Sequence, residues 1–290
     1  MKADIMWLGS TDSTNEEAKR IISDIDNLSV LSALEQTAGR GQRGNQWHSA
    51  PGENLLFSIV LKYSKDEMLS DALSPVRACD QFVISEAAAL AITDFLSGYG
   101  ISAKIKWPND IYIGDKKICG VLIENSLRGE NLSSSIIGIG LNVNQRNFDV
   151  NLPNPTSMVL ETGFEEDIKG CLEEFMDIFQ ACLLAVTAYG PEHSLSSHQN
   201  SLSNLRERYL SHLWRHNTPA RYIDLCRQPE QKMQNVQAAQ QLQADLEDVV
   251  LGREFTGIIR GLSPIGHLVV EDIEKGELKE FAFKEISYIL

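Results

Sequence analysis

The alternation of apolar and polar residues along the chain predicts mixed α and β structure. From Ile5 to Leu61 the pattern indicates strand, helix, strand, loop and strand, and the polar cluster from Asp12 to Glu17 is typical of a helix start. From Asp80 to Gly98, apolar residues recur at helical spacing, which predicts a long helix across a sheet. The same spacing predicts another helix from about Glu165 to Tyr189.

Further β-rich runs follow the first long helix, and a tight turn at Gly114 joins two of them into a hairpin. These runs cover residues 101–107, 111–113, 118–124 and 136–143. A Ser-rich stretch at 194–204 and a Gln-rich stretch at 228–245 are polar, and we expect both to be surface excursions. Four short β-runs near the C-terminus predict a small β-barrel, at residues 221–225, 253–260, 267–271 and 279–283.

These elements together predict an α+β protein of two domains. The first, residues 1–216, would carry a mixed β-sheet packed with helices. The second, residues 217–290, would be the small C-terminal barrel, with a Gln-rich insertion near 227–250. A chain of 290 residues has room for one large domain with a small companion.

Composition excludes several classes of function. The net charge is −14 and the isoelectric point is near 4.9, which argues against a surface built to bind nucleic acid or an anionic membrane. The N-terminus has no apolar signal region and no run approaches a membrane span, so we expect a cytoplasmic protein. The five cysteines are scattered without a Cys-x-x-Cys pair, and we expect them to be reduced and mostly buried.

The segment from Gly39 to Gly44 contains three glycines and two arginines. Glycines let a backbone approach a polyanion closely, and guanidinium groups bind carboxylates and phosphates. The spacing matches neither the P-loop nor the dinucleotide fingerprint. On this segment alone, a flexible surface loop with solvated arginines remains an equal alternative.

A second cluster runs from Lys106 through Pro108 to Asp110, and Lys117 returns close to it across the hairpin turn. This arrangement can bring a cation to a reacting phosphate. The alternative is an ordinary Asn-Asp turn with an ion pair to Lys117, which contributes little on a surface. For Ser13 and Thr14, helix capping is likewise an alternative that is compatible with binding.

Taken in order along the chain, these motifs resemble those of the biotin–protein ligase family. The shared motifs are Ser-Thr-Asn at 13–15, Gln-x-x-Gly-Arg-Gly at 36–41, Lys-Trp-Pro-Asn-Asp at 106–110, Lys-x-x-Gly at 117–120 and Gly-x-Gly-x-Asn at 138–142. Residues 5–190 resemble the family well, and the terminal barrel resembles it more loosely. The resemblance implies a catalytic domain like that of class II aminoacyl-tRNA synthetases, followed by an SH3-like barrel.

The resemblance also implies a reaction and its substrates. Biotin and ATP would form biotinyl-5′-AMP with Mg²⁺, and the biotinyl group would pass to a lysine of a biotin carboxyl carrier domain of a carboxylase. The enzyme would be a monomer or homodimer that binds neither nucleic acid nor a membrane. Such chemistry depends on clamping and orienting charge rather than on a protein nucleophile.

The resemblance assigns roles residue by residue. Lys117 and Arg40 would be the catalytic cations, and Asp110 would be a Mg²⁺ ligand. Biotin would be bound by Ser13, Thr14, Asn15, Gln36, Arg40, Gly41, Gln42, Lys117 and Gly120. ATP would be bound by Arg40, Gln42, Arg43, Trp47, Asn109, Asp110, Lys117 and Asn142. Many family members have Arg where this chain has Gln42, so this loop carries one positive charge fewer.

Three other functions are alternatives to this one. A lipoate–protein ligase shares the fold and the adenylation chemistry, and it is the main alternative. A nucleotidyltransferase with a lysyl-AMP intermediate would need an acidic or amide residue where Cys119 stands. A DNA-binding repressor carries a helix-turn-helix domain ahead of the catalytic segment, and we expect none here because Ser13 lies close to the start of the sequence.

Overall fold

Two β-sheets organise the computed structural model, which describes residues 4–64, 73, 76–187, 195–226 and 252–290. The chain divides into two units, Met1–Trp214 and Arg215–Leu290. The Gln-rich segment predicted near 227–250 lies outside the described residues.

The first unit contains a seven-stranded sheet in the order β1-β2-β3-β7-β6-β5-β4. The strands are β1 Ile5–Thr11, β2 Val30–Gln36, β3 Asn54–Lys62, β4 Lys104–Lys106, β5 Asp110–Ile113, β6 Lys116–Arg128 and β7 Asn131–Asn142. Strands β1 and β2 pair in parallel, and the other neighbours pair antiparallel. Gly114 adopts a positive φ of 56° at the β5–β6 turn, which confirms the predicted hairpin.

Helices of the first unit cover the two faces of this sheet. They are α1 Thr14–Ile21, α2 Phe82–Gly98, α3 Met158–Thr162, α4 Ile168–Thr187 and α5 Leu195–His212. On one face, Phe57 of β3 meets Phe175 of α4 with ring centroids 5.3 Å apart, and Phe175 also contacts Phe95 of α2. On the other face, Ala18 of α1 packs into a small cluster with Leu31 and Val60. Alternate residues of β3 therefore serve opposite faces, as the strand period requires.

The stretch at 194–204, which we predicted as a surface excursion, overlaps a helix that the sequence did not predict. Within the described part of that stretch the chain is helical, because it forms the start of α5. The polar composition of its first turns gives no helical pattern, and the buried apolar residues of this helix lie in its second half. Leu205 and Tyr209 are buried, and the Tyr209 ring lies 5.8 Å from Phe82 of α2. Packing against α2 supplies the stabilisation that the polar first turns cannot.

The second unit contains a five-stranded antiparallel sheet in the order β11-β10-β9-β8-β12. Its strands are β8 Pro219–Asp224, β9 Arg253–Leu262, β10 Leu268–Asp272, β11 Glu277–Phe281 and β12 Ile286–Tyr288. The sequence predicted the first four strands and missed β12. Buried Tyr222, Phe255 and Phe281 form the aromatic core of this unit. Closure of the sheet into an SH3-like barrel stays a prediction.

No helix in the described part of the chain has both the length and the apolarity needed to cross a membrane. The cysteines are free, and Cys119, Cys171 and Cys182 are buried, as expected from their scattered positions.

Candidate active site

A network of hydrogen bonds lies at the start of α1. Thr14 donates its backbone N–H to Oε1 of Gln36 over 2.8 Å, and its hydroxyl lies 3.2 Å from the same oxygen. Gln36 thus supplies the acceptor that the first turn of a helix requires. Ser13 occupies the N-cap position with extended backbone, but its side chain makes no capping hydrogen bond to any described residue. Helix capping by its side chain therefore does not explain the presence of Ser13, a residue that is 3% exposed.

Ser58 of β3 is fully buried beneath this network, and no motif in the sequence singles it out. Its Oγ lies 2.7 Å from Oγ1 of Thr14 and 2.6 Å from Oδ1 of Asn15. Since the Asn15 oxygen can only accept, the Ser58 hydroxyl donates to Asn15 and the Thr14 hydroxyl stays available to Ser58 or Gln36. Asn15 in turn donates to Glu124 of β6 over 2.9 Å. We call Thr14, Asn15, Gln36 and Ser58 the polar pocket.

Glycines of β6 and β7 form a floor without side chains beside the polar pocket. A Cβ added to Gly138 would lie 2.3 Å from Oδ1 of Asn15, and one added to Gly140 would lie 2.5 Å from the Trp47 ring. On the neighbouring strand, a Cβ on Gly120 would lie 3.0 Å from the same ring. Gly120 and Gly140 are paired across β6 and β7, so both present the same face. Only glycine allows Asn15 and Trp47 to approach the sheet this closely.

Lys117 lies at the other end of this glycine floor. Its Nζ is 2.8 Å from Oδ1 of Asp110, 5.6 Å from the Trp47 ring centroid and 3.3 Å from the Cβ position of Gly120. The ion pair that the sequence left as an alternative is therefore present. The side chains of Lys117 and Asp110 remain about one-third and one-quarter exposed, so a ligand can reach them.

A shift in strand register explains why Lys117 faces the floor. Asp110 pairs with Gly120 and Ile111 with Cys119, but Tyr112 pairs with Lys117, which leaves one extra residue on β6. Strict alternation over three positions would place Lys117 and Gly120 on opposite faces. The extra residue restores them to one face, and such bulges re-aim side chains in this way. The backbone of Lys117 is also held by the segment 154–156, because its N–H donates to the carbonyl of Asn154 and its carbonyl accepts from the N–H of Thr156.

Two buried polar atoms at the Lys117 end are unpaired. Nε1 of Trp47 and Oδ1 of Asn142 have no hydrogen-bond partner among the residues that the structure describes. Asn142 uses its amide nitrogen to donate to Thr156 over 2.8 Å, which fixes the orientation of its side chain. Leaving a buried polar group unpaired costs about 1–3 kcal/mol. A donor and an acceptor are thus available for a ligand near Lys117.

The remaining predicted site residues lie away from the glycine floor or bond to other groups of the protein. Asn109 donates its side-chain amide to the carbonyl of Val121 over 2.5 Å, so this amide fixes a strand end. Arg40 directs its guanidinium to Glu16 and Glu124. Gly41 donates its N–H to Asn45 over 2.7 Å, and a single 3-10 turn spans Gln42–Gly44. The side chain of Arg43 lies outside the described part of the structure.

A surface cavity borders the site at Trp47 and at Gln36, the last residue of β2. It is lined by residues that follow β2, by Trp47 to Ser49 and by a segment after β7, including Gln145, Asp149 and Leu152. Among the described residues, no three His, Cys, Asp or Glu side chains form a cluster that could hold a metal ion by themselves.

Comparison with known proteins agrees with this architecture. The family model for the biotin/lipoate A/B protein ligase family matches residues 7–142. The biotin–[acetyl-CoA-carboxylase] ligase of Paracoccus denitrificans is 33% identical over 178 residues, which cover 59% of this chain and 68% of that protein. The bifunctional ligase/repressor BirA of Escherichia coli is 28% identical over 151 residues, but the match spans only 44% of its length.

A solved structure of the biotin protein ligase from Aquifex aeolicus, in complex with biotin and ATP, superposes with a TM-score of 0.68. It is 24% identical, and the match covers 98% of this chain and 97% of that chain. At this identity the likeness establishes the fold. The relatives establish the family: the chain belongs to the biotin/lipoate A/B protein ligase family.

Proposed function

We propose that this chain is a biotin–protein ligase. The biotin carboxylate oxygen attacks the α-phosphorus of ATP, which forms biotinyl-5′-AMP and releases pyrophosphate. The ε-amine of a lysine on a biotin carboxyl carrier domain then attacks the acyl carbon, and AMP leaves. The observation that carries the proposal is the glycine floor with an uncharged polar pocket at one end and Lys117 at the other.

The polar pocket favours biotin over lipoate as the acyl substrate. Biotin ends in a ureido ring, which needs both donors and acceptors, whereas lipoate ends in an apolar dithiolane. Thr14, Asn15 and Gln36 carry hydroxyl and amide groups at this end, and the neighbouring Ser13 adds a hydroxyl. A site built to hydrogen-bond a substrate discriminates strongly against an analogue that lacks those groups. The identity to the Paracoccus biotin ligase supports the same choice.

Lys117 is the cation that brings two anions together. A carboxylate and a triphosphate repel each other, so the reaction needs positive charge at the point where they meet. Lys117 is paired with Asp110, so its ammonium would exchange that carboxylate for a phosphate oxygen. Gly41 and Gln42 of the loop would cover the acyl phosphate. Arg40 can serve this anion only if its guanidinium leaves Glu16 and Glu124.

The unpaired atoms of Trp47 and Asn142 would complete the nucleotide site. The Trp47 ring offers an aromatic surface to adenine, and Asn142 Oδ1 can accept a hydrogen bond from an exocyclic amine or a ribose hydroxyl. Asn109 would support this region through the strand end that it fixes. Arg43 is assigned to ATP on the family resemblance alone.

Asp110 is a fitting ligand for the Mg²⁺ that accompanies ATP. Mg²⁺ is commonly bound by one or two carboxylates together with phosphate oxygens and water, so a single carboxylate suffices when the nucleotide is bound. The metal would supply charge neutralisation on the departing pyrophosphate. Asp110 would hold it once Lys117 has turned to the phosphate.

The first unit would carry both reactions, with a catalytic domain over residues 1–216 and the small domain over 217–290. We propose a cytoplasmic enzyme that acts as a monomer or homodimer on the carrier domain of a biotin-dependent carboxylase. The full chain, biotin, Mg-ATP and an apo carrier domain should give a carrier one biotinyl group heavier by mass spectrometry. A carrier whose acceptor lysine is replaced by Arg is the control, and an unmodified carrier in the presence of folded enzyme contradicts the proposal.

A further inference from the structure

Four charged side chains meet where the glycine-rich loop touches α1 and β6. Lys19 lies 2.8 Å from both Glu16 and Glu124, and Arg40 contacts Glu16 and lies 3.4 Å from Glu124. We call Glu16, Lys19, Arg40 and Glu124 the ionic cluster. Each cation touches both carboxylates, so the charges within it balance. Hydrogen bonds from Lys19 and Asn15 outweigh the effect of partial burial and hold the pKa of Glu124 below its ordinary value.

The ionic cluster lies at the polar-pocket end of the site. Glu124 accepts a hydrogen bond from Asn15, whose side chain rests on Gly138. Along β6, Glu124 is four residues beyond Gly120, which corresponds to about 13 Å of strand. Lys117 contacts the Gly120 position instead. The Arg40 guanidinium is therefore remote from the cation at which carboxylate and phosphate must meet.

The backbone of Arg40 is coupled to the ring that covers the glycine floor. Arg40 pairs with Gln46 in a short antiparallel bridge, and Trp47 donates its N–H to Gly39 over 2.9 Å. A Cβ on Gly39 would lie 2.5 Å from the Trp47 carbonyl, so the two limbs of the loop are in close contact. Fixing Arg40 therefore fixes the segment that carries Trp47 over Gly140.

We propose that Arg40 is the ionic anchor of the glycine-rich loop and that Glu16 and Glu124 are the groups to which it is anchored. The charge of Arg40 is used to hold the loop over the glycine floor, and Lys117 serves the reacting anions at the other end of the floor. Glu124 is then a positioning residue for two parts of the site, because it also orients Asn15. The consequence for catalysis rests on the proposed function, whereas the attachment of the loop does not.

Two roles for Arg40 predict opposite results for the double variant Glu16→Gln/Glu124→Gln. In the role proposed here Arg40 anchors the loop, and in the role implied by the family resemblance it binds the substrate anions. Both replacements remove charge, and the new amide at position 124 can still accept from Asn15. If the carboxylates only compete with substrate for Arg40, removing their charge lowers KM for biotin. If they anchor the loop, KM for biotin in ATP–pyrophosphate exchange rises about fivefold with kcat little changed. Glu17→Gln is the matched control, because Glu17 pairs with Arg20 on the same helix.

Trypsin cleavage after Arg40 and Arg43 gives a second measurement that needs no substrate. The double variant should be cut in this loop about fivefold faster than the wild type and Glu17→Gln, with an unchanged melting temperature. Equal cleavage rates in the double variant and the wild type overturn the proposal that Arg40 anchors the loop. If the double variant is cut faster but its KM for biotin is unchanged or lower, the proposed effect of the anchor on biotin binding is overturned. If the wild type shows no exchange with biotin, the proposed function fails, and the cleavage rates still decide whether Arg40 anchors the loop.

Discussion

The two ends of the glycine floor differ in how far their polar groups are satisfied. At the polar pocket, Ser58 bonds to Thr14 and Asn15, and Thr14 bonds to Gln36, so these side chains hold one another in place. At the other end, Trp47 Nε1 and Asn142 Oδ1 are buried and unpaired among the described residues.

This difference separates recognition from reaction. A satisfied network is rigid and presents its remaining hydrogen-bonding capacity in a fixed geometry, which suits recognition of a neutral ring. The Lys117 end has a donor, an acceptor and a cation that a nucleotide can pair with, which suits the reaction step. We therefore expect substitutions at the polar pocket to affect biotin affinity, and substitutions at the Lys117 end to affect ATP and the chemical step.

Lys117→Ala should have the largest effect. Removing the cation should lower the rate of adenylate formation on the order of 10²- to 10³-fold, because the ammonium of Lys117 would stabilise the charge that develops where the two anions meet. Biotin affinity, measured by calorimetry without nucleotide, should change little. Lys116→Ala, at an exposed neighbouring position, is the control. Substantial single-turnover adenylate formation by Lys117→Ala would refute the role of Lys117.

Two glycine substitutions compare the ends directly. Gly138→Ala forces its Cβ against Asn15, and Gly140→Ala forces its Cβ against Trp47. Overpacking of this kind costs about 1–3 kcal/mol, or roughly 5- to 150-fold in affinity. Gly138→Ala should weaken biotin binding, and Gly140→Ala should mainly raise KM for ATP. Gly9→Ala, which meets nothing within 4 Å, is the control. Equal effects of both variants on both substrates would mean that the ends are not independent.

Ser58→Ala tests whether the polar pocket is preorganised by a residue that need not touch the substrate. Loss of its hydroxyl leaves the oxygen of Asn15 without its donor, so biotin affinity should fall about 5- to 10-fold. Ser58→Thr retains the hydroxyl and indicates how far the loss is one of hydrogen bonding rather than volume. Ser10→Ala, at an exposed position of β1, is the control for stability. Unchanged biotin affinity in a folded Ser58→Ala protein would contradict preorganisation.

Trp47→Phe should have the smallest effect. Phenylalanine retains an aromatic surface over the glycine floor but removes the unpaired donor. If the nucleotide accepts a hydrogen bond from Nε1, KM for ATP should rise about 3- to 10-fold with biotin affinity unchanged. Trp47→Ala, which removes the ring as well, should raise it further. A Trp47→Phe enzyme with wild-type KM for ATP shows that Nε1 does not contact the nucleotide.

The sequence predicted the site residues that belong to motifs. It did not predict features that depend on strand register or on contacts in the folded sheet. The β5–β6 hairpin followed from Gly114, and the pairing of Lys117 with Asp110 was anticipated as an alternative. The face on which Lys117 lies depends on a register shift that a period of two cannot reveal. Ser58 stands within an apolar run, where nothing in the local pattern separates a positioning hydroxyl from a tolerated one.

Long-range contacts explain the other differences. Glu124 lies 109 residues from Asn15 in sequence, so only the folded sheet brings the two together. The sequence did not predict α5 because its first turns are polar. The buried residues of this helix, Leu205 and Tyr209, come later, and Tyr209 packs against α2. Short elements such as α3 and β12 are below the length at which an apolar pattern becomes distinct.

ATP–pyrophosphate exchange with biotin and lipoate, compared in parallel, tests the central claim most directly. The account predicts exchange that depends on biotin and Mg-ATP, that lipoate does not support, and that disappears in Lys117→Ala. Exchange supported by lipoate and not by biotin, or exchange with biotin that persists in Lys117→Ala, would contradict the account.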